Sequence, residues 1–179
     1  MYLFKKHTIN LTKIKINLLL ILSILFFYTN AYAEEKFVGF VDSLEGNAVM
    51  IKGEKTVKLN EFDQIFINDK IKVDIGASII ISFTDNSLLT LKDKSEFSVK
   101  EFDKDSSTPS FILSITNGKF TFESGSIAKN KDGIMKVKLS GLEVKLNGTL
   151  VTGKNSEGEK NVSLLEDSTG NLGTLEVGI

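Results

Sequence analysis

The stretch ISFTDNSLLTLKDKSEFSVKEF, residues 81–102, decides the fold class. Ile81, Phe83, Leu89 and Leu91 alternate with Ser82, Thr84, Thr90 and Lys92 on the two sides of Asp85-Asn86-Ser87, a turn-forming cluster. Such alternation predicts a β-hairpin with one face buried and the other wet. Asn tolerates positive φ better than any residue but Gly, so Asn86 suits the left-handed position of the connection. The pattern resumes with Phe97 and Val99, alternating with Ser98 and Lys100.

Working outward, apolar runs at 37–41, 48–51, 57–59, 65–67, 71–73 and 79–83 are separated by turn cues at Glu45-Gly46, Gly53-Glu54, Asn68-Asp69 and Gly76. On the other side, 111–115 and 119–122 flank Thr116-Asn117-Gly118, which predicts a second tight hairpin. Runs at 137–139, 142–146, 149–151, 162–164 and 172–177 follow, with 153–158 expected as a glycine-rich turn. The polar section 102–110 holds the only proline and is expected to be a long loop. Strands recurring about every eight to twelve residues, with no 3.6-residue period, predict an all-β domain. The expected architecture is a jelly-roll-like β-sandwich of short antiparallel strands and hairpins.

The first 33 residues read differently. Lys5, Lys6, Lys13 and Lys15 precede an apolar run at 18–27, and Ala31-Tyr32-Ala33 closes the segment with a small-x-small pattern. A cleaved Sec-type signal peptide, residues 1–33, is expected, because the run falls short of the roughly 20 residues that span a bilayer. An uncleaved anchor is the alternative. The remaining 34–179 are the length of one domain.

All 22 basic residues are lysine, four of them within 1–33, where no acid occurs; the rest carries 18 lysines against 23 acids, a net −5. That balance argues against nucleic acid and against strong affinity for an anionic membrane surface. The chain has no cysteine, which excludes thiol redox chemistry and disulfide staples. Its single histidine, His7, lies in the signal segment, which removes imidazole triads and most transition-metal sites. Ser126-Ile127-Ala128-Lys129 matches an S-x-x-K nucleophile string, but the S-x-N and K-T-G elements that chemistry needs are missing. Asp103-Lys104-Asp105 and Asn130-Lys131-Asp132-Gly133 offer oxygen ligands without continuing into a calcium loop. Asn147-Gly148-Thr149 and Asn161-Val162-Ser163 match the glycosylation pattern. No catalytic residue, metal site or cofactor is expected.

Asn68-Asp69-Lys70-Ile71, then Val73-Asp74-Ile75-Gly76-Ala77-Ser78, then Phe83-Thr84-Asp85-Asn86-Ser87-Leu88-Leu89-Thr90-Leu91 stand in fixed order. In that order and spacing they resemble the G-D-x-I, T-G-x-x-S and F-x-D-G-S-x-L-x-L motifs of the FecR family. GFVDSLEG, residues 39–46, looks like that family's opening strand and turn, and GKFTFESG, residues 118–125, like a later hairpin. Asn147-Gly148-Thr149 falls where the family has R-G-T. The resemblance covers roughly residues 37–167. Asn86 replaces the turn glycine, Leu139-Ser140 stands for Thr-Pro, Lys145 for a glycine and Asn147 for the arginine, so no function of that arginine carries over.

The turn cues at Asn86 and Asn117-Gly118, together with the resemblance, imply structural turn and motif roles for Gly46, Asp69, Gly76, Asp85, Asn86, Asn117, Gly118, Gly148 and Thr149. Its best-known members are inner-membrane regulators, in which a cytoplasmic segment controls a sigma factor and the periplasmic β-domain senses a loaded outer-membrane transporter. Residues 1–17 are too few for the cytoplasmic part. The expected function is therefore that of an exported, non-catalytic β-domain of a Gram-negative envelope, periplasmic, secreted or at the cell surface. It would bind an envelope protein or a cell-wall or glycan component, with an exposed edge strand as the natural docking element. An inner-membrane sensor and a structural module of a larger surface protein are the alternatives.

Overall fold

The computed structural model describes residues 35–166, 170 and 172–178. The expected signal peptide lies outside the described residues. Among the described residues the chain forms β1 (Phe37–Glu45), β2 (Ala48–Lys52), β3 (Lys55–Lys58), β4 (Gln64–Phe66), β5 (Lys70–Val73), β6 (Ser78–Phe83), β7 (Leu88–Asp103) and β8 (Ser110–Glu123). A four-residue helix, α1 (Ser126–Lys129), precedes β9 (Ile134–Leu139), β10 (Leu142–Asn147), β11 (Leu150–Ser156), β12 (Glu159–Leu165) and β13 (Thr174–Gly178).

Two of these strands are far longer than the expected short ones: β7 runs for 16 residues and β8 for 14. Phe111 and Phe122 lie at opposite ends of β8, and a straight strand would hold them roughly 36 Å apart. Their ring centroids are 5.7 Å apart. The β7–β8 ribbon therefore folds over on itself, and one continuous ladder becomes two facing sheets. The front sheet has the order β4-β1-β6-β7-β8-β11-β12, using residues 88–92 of β7 and 119–123 of β8. The back sheet has the order β3-β2-β5-β7-β8-β9-β10-β13, using the other halves of the two long strands. This is the expected all-β sandwich.

Inward-facing side chains of both sheets form one core. At its centre the Phe111 ring lies 4.8 Å from Phe83, 5.0 Å from Phe102 and 5.7 Å from Phe122 by centroid, all edge to face. The opening hairpin forms as expected: β6 and β7 pair from Ser78↔Lys92 to Ser82↔Leu88, and Asn86 takes φ 65° in the turn.

Three expectations are corrected. Thr116-Asn117-Gly118 is not a hairpin: β8 passes straight through it, paired with β7 on both sides. The residues make the corner of the folded ribbon, where the register with Asp93, Lys94 and Ser95 slips. A Cβ on Gly118 would lie 2.5 Å from Ser95 Cβ, and Asn117 Nδ2 donates to the Lys94 carbonyl at 2.6 Å. A glycine at positive φ serves a bulge as well as a turn, and the presence of a through-running partner strand decides between them. The 153–158 segment is also mostly strand, because β11 extends to Ser156 and only Glu157-Gly158 turns. Gly153 is bare because the Phe120 ring occupies the space its Cβ would need. Finally, β8 and β9 pair in parallel, in register from Ser110↔Ile134 to Ser114↔Lys138, with α1 in the crossover.

Candidate functional site

The motif residues converge on structural knots. Asp85, Ser87, Ser124 and Thr149 are all buried. The Asp85 carboxyl accepts from the Ser87 amide at 3.1 Å and the Ser87 hydroxyl at 2.9 Å. Ser87 Oγ in turn accepts from the Gly125 amide at 2.8 Å, while the Asp85 carbonyl accepts from the Ser126 amide at 2.8 Å. The hairpin turn is thereby tied to the start of α1. Next to it, Ser124 Oγ accepts from the Thr149 amide at 2.7 Å and donates to the Thr149 carbonyl at 2.9 Å. Gly46, Gly76 and Gly148 are turn positions with φ of 82°, 71° and 66°. Ser126 and Lys129 of the S-x-x-K string sit on α1, the Ser126 amide engaged as above and the Lys129 side chain in solvent.

Asp69 is the knot at the other end. Its Oδ2 accepts from the Phe66 amide at 2.9 Å, and Lys52 Nζ lies 3.8 Å from its Oδ1, 2.7 Å from Glu35 and 4.1 Å above the Phe66 ring. Burial pushes the Asp69 carboxyl above its usual range, against the opposing Phe66 amide and Lys52 charge. On the back sheet, burial also acts to raise Glu96, but hydrogen bonds from Lys70, Thr116 and Lys72 outweigh it and hold the carboxyl below its ordinary value of 4.5. A carboxyl depressed in the folded state stabilises the fold above that value and loses the contribution as pH falls through the folded pKa. Glu96→Gln is therefore expected to flatten the acid limb of a melting-temperature profile below about pH 4.5, while Asp69, shifted the other way, opposes that limb. A profile superimposable on the parent's would contradict this role.

The calcium-like clusters are taken up locally. Asp103 accepts from the Asp105 amide at 3.3 Å and pairs with Lys36 at 3.4 Å, and Asn130 Oδ1 accepts from the Asp132 amide at 3.0 Å. Among the described residues no group of three or more metal-binding side chains is placed to hold an ion.

What the fold does not use is the outer face of the front sheet. Strand register aligns its outward side chains in three rows that cross the strands. The first row is Phe40, Ser82, Leu88, Glu123, Leu150 and Leu165. Phe40 is 37% exposed, Leu88 37% and Leu165 38%, apolar surface facing water that Ser82 and the exposed Glu123 interrupt. The second row is Ile80, Thr90, Thr121, Thr152 and Ser163, and the third Ser78, Lys92, Lys119, Lys154 and Asn161. A shallow hollow of about 190 Å³ lies between the last two, lined by Thr90, Lys92, Lys119, Phe120, Thr121 and Thr152. Just before β4, Phe62, 74% exposed, holds a left-handed φ of 70°, its amide bonded to the Val41 carbonyl at 2.8 Å. A bulky side chain kept in that conformation and in water is the kind of strain that accumulates at functional surfaces.

The outer face of the back sheet is built differently. There Lys70 and Lys72 meet Glu96, Lys136 and Lys138 meet Glu143, and Lys145 meets Glu176. On the front face only Lys154 has such a partner, Glu159; among the described residues no carboxylate lies within ion-pair distance of Lys92 or Lys119. Like charges set directly opposite on paired strands destabilise a sheet, so this row works against the fold. The sheet ends at β3, β4, β12 and β13. Edge strands β3 and β12 carry Lys55, Lys58 and Lys160, the charged blunting that discourages strand addition.

The family model described as FecR protein matches residues 69–168, more than half of the chain. This chain belongs to the FecR family. No curated protein and no solved structure matches it. The FecR match begins at Asp69 and takes in the Asp85 hairpin, the folded β7–β8 ribbon and Thr149; Glu35, Lys52 and Phe66 around Asp69, and the 39–46 strand and turn, lie outside it. FecR domains are a family of regulatory sensors. The three rows were not legible as a site in the sequence. Thr90, Lys92, Thr121 and Lys119 read there only as the wet side of alternating strands, and nothing local signals that they align with Thr152 and Lys154.

Proposed function

We propose that this FecR domain is an exported, non-catalytic binding module that holds a partner of the cell envelope on the outer face of its front sheet. The observation that carries this reading is the juxtaposition of apolar, hydroxyl and lysine rows on a surface that neither the core nor the motif knots employ. A sensor domain needs such a recognition surface, whereas the lysines of the back face are engaged by Glu96, Glu143 and Glu176 and the edges β3 and β12 are blunted by charge. Export rests on the signal pattern of residues 1–33 and on the periplasmic placement typical of FecR domains. The family's regulatory members favour a second reading, in which residues 1–33 stay uncleaved and the domain senses from the inner membrane.

One experiment separates these readings. The full chain, tagged at its C-terminus, is expressed in a Gram-negative host, and cell fractions are sequenced from the N-terminus. The binding module is expected to begin at Glu34 and to sediment with washed envelopes. Thr121→Trp, which fills the centre of the face with a good strand former, is expected to release it into the soluble fraction at an unchanged melting temperature. Inner-membrane product beginning at Met1 overturns the exported reading. Retention untouched by Thr121→Trp removes this face from the binding site.

A further inference from the structure

We infer that the ligand of this face is an acidic glycan laid across the strands, its acid groups on the Lys92–Lys119–Lys154 row and its rings against the neighbouring threonines. The inference rests on the reading of the face as a binding surface and names the chemistry it would take. Three observations lead to it. Adjacent strands lie about 4.8 Å apart, so the row sets three lysines side by side, perpendicular to β7, β8 and β11. A pyranose chain bearing acid groups along its length offers an extended line of negative charge to such a row. The row also already holds a carboxylate: Glu159 pairs with Lys154, whose hydrogen bond and charge keep the Glu159 carboxyl below its usual range, with Lys119 adding to the effect.

The hydroxyl row supplies the second half of the match. Each threonine hydroxyl both donates and accepts, as sugar hydroxyls do. Thr152 Oγ1 donates to the Phe120 carbonyl at 3.0 Å and so can still accept, while Thr90 and Thr121 stand beside it on the wall of the hollow. The hollow is the size of a single ring, and the apolar row beyond offers Phe40 and Leu88 to the non-polar face of a further one.

Other occupants fit less well. A second copy placed by a two-fold axis through Thr121 would set Lys119 on its partner's Glu123 but Lys92 on Leu88, stripping water from an ammonium group with no acid opposite it. An acidic strand packed in the aligned manner would run within about 30° of the sheet's strands, with same-face side chains roughly 6.8 Å apart, and would cross the lysine row at a single point.

Because residues 34–179 carry a net −5, attraction to a polyanion is confined to the row and is expected to be short-ranged and sensitive to salt. The test uses the exported full-chain product on immobilised polygalacturonate, with dextran as the neutral counterpart. Retention is expected on polygalacturonate alone, and loss in about 1 M salt, where the screening length falls to about 3 Å. Lys92→Glu with Lys119→Glu is expected to weaken it about tenfold or more, whereas Lys129→Glu with Lys131→Glu, the same change in net charge elsewhere, should stay within about twofold. Equal losses in the two double variants would overturn the inference in favour of unspecific charge attraction. No retention on polygalacturonate, with Thr121→Trp still releasing the protein from envelopes, overturns the glycan while leaving the face in place and points to an acidic protein partner. Envelope binding indifferent to Thr121→Trp means the face itself was misassigned.

Discussion

Phe111→Ala is expected to destabilise the domain by about 3–5 kcal/mol and to lower its melting temperature by about 10 °C or more. Phe111 is fully buried, and its ring touches Phe83 of the front sheet, Phe102 of the back sheet and Phe122 at the far end of its own strand. Truncation therefore opens a cavity where the two halves of the folded ribbon meet, with walls from both sheets that cannot collapse independently. A domain of this size has about 5–15 kcal/mol in total, so the variant is near the limit of folding. Phe37→Ala is the comparison: Phe37 also makes an edge-to-face pair, with Phe66 at 6.0 Å, but it is partly exposed. Its truncation should cost about 1 kcal/mol. Urea melts of both variants check the difference, and losses of equal size would mean that Phe111 does not join the sheets as described.

Asp85→Ala is expected to cost about 3–4 kcal/mol, although it removes no large apolar group. The carboxyl is the acceptor for both the amide and the hydroxyl of Ser87, in a place where water does not reach. Stranding two buried donors costs about 1–3 kcal/mol each. The damage extends further, because Ser87 Oγ is oriented by Asp85 to accept from Gly125, and Gly125 cannot move closer without collision. A Cβ at residue 125 would lie only 2.5 Å from the Ser87 amide nitrogen, so the turn and the start of α1 already pack at backbone contact. Asp85→Ala combined with Ser87→Ala should be milder than the sum of the single variants, since no hydroxyl is then left without an acceptor. Strict additivity in a double-mutant cycle would show that the two residues are not a unit.

The residues of these two predictions were not equally visible beforehand. Phe111 read as one member of an alternating strand, and its inward direction followed from the pattern alone. That it would meet Phe122 could not, because the same alternation describes a straight strand and a folded one. Asp85 and Asn86 read as turn residues, and they are; the partner of the turn, Gly125, lies 38 residues beyond Ser87 and has no periodic relation to it. The failure at Asn117-Gly118 has the same origin. Positive φ at a glycine is a local property, and whether the chain then reverses or continues depends on whether a partner strand runs past. The positive φ of Asp93 and Lys94 on that partner, which complete the corner, carry no compositional mark.

Period-two alternation, turn residues and composition thus determined by themselves that the domain is all β, which side chains face inward, and that no thiol is present. These are decided within a few residues, by the pleat of the strand and by the φ values each residue tolerates. Register between distant strands was decided only by the tertiary structure: the parallel β8–β9 pair, the fold of the ribbon, and the alignment of Lys92, Lys119 and Lys154 into one row. The core selects that register by matching inward side chains of strands far apart in the chain, and the outward side chains are carried into line as a consequence.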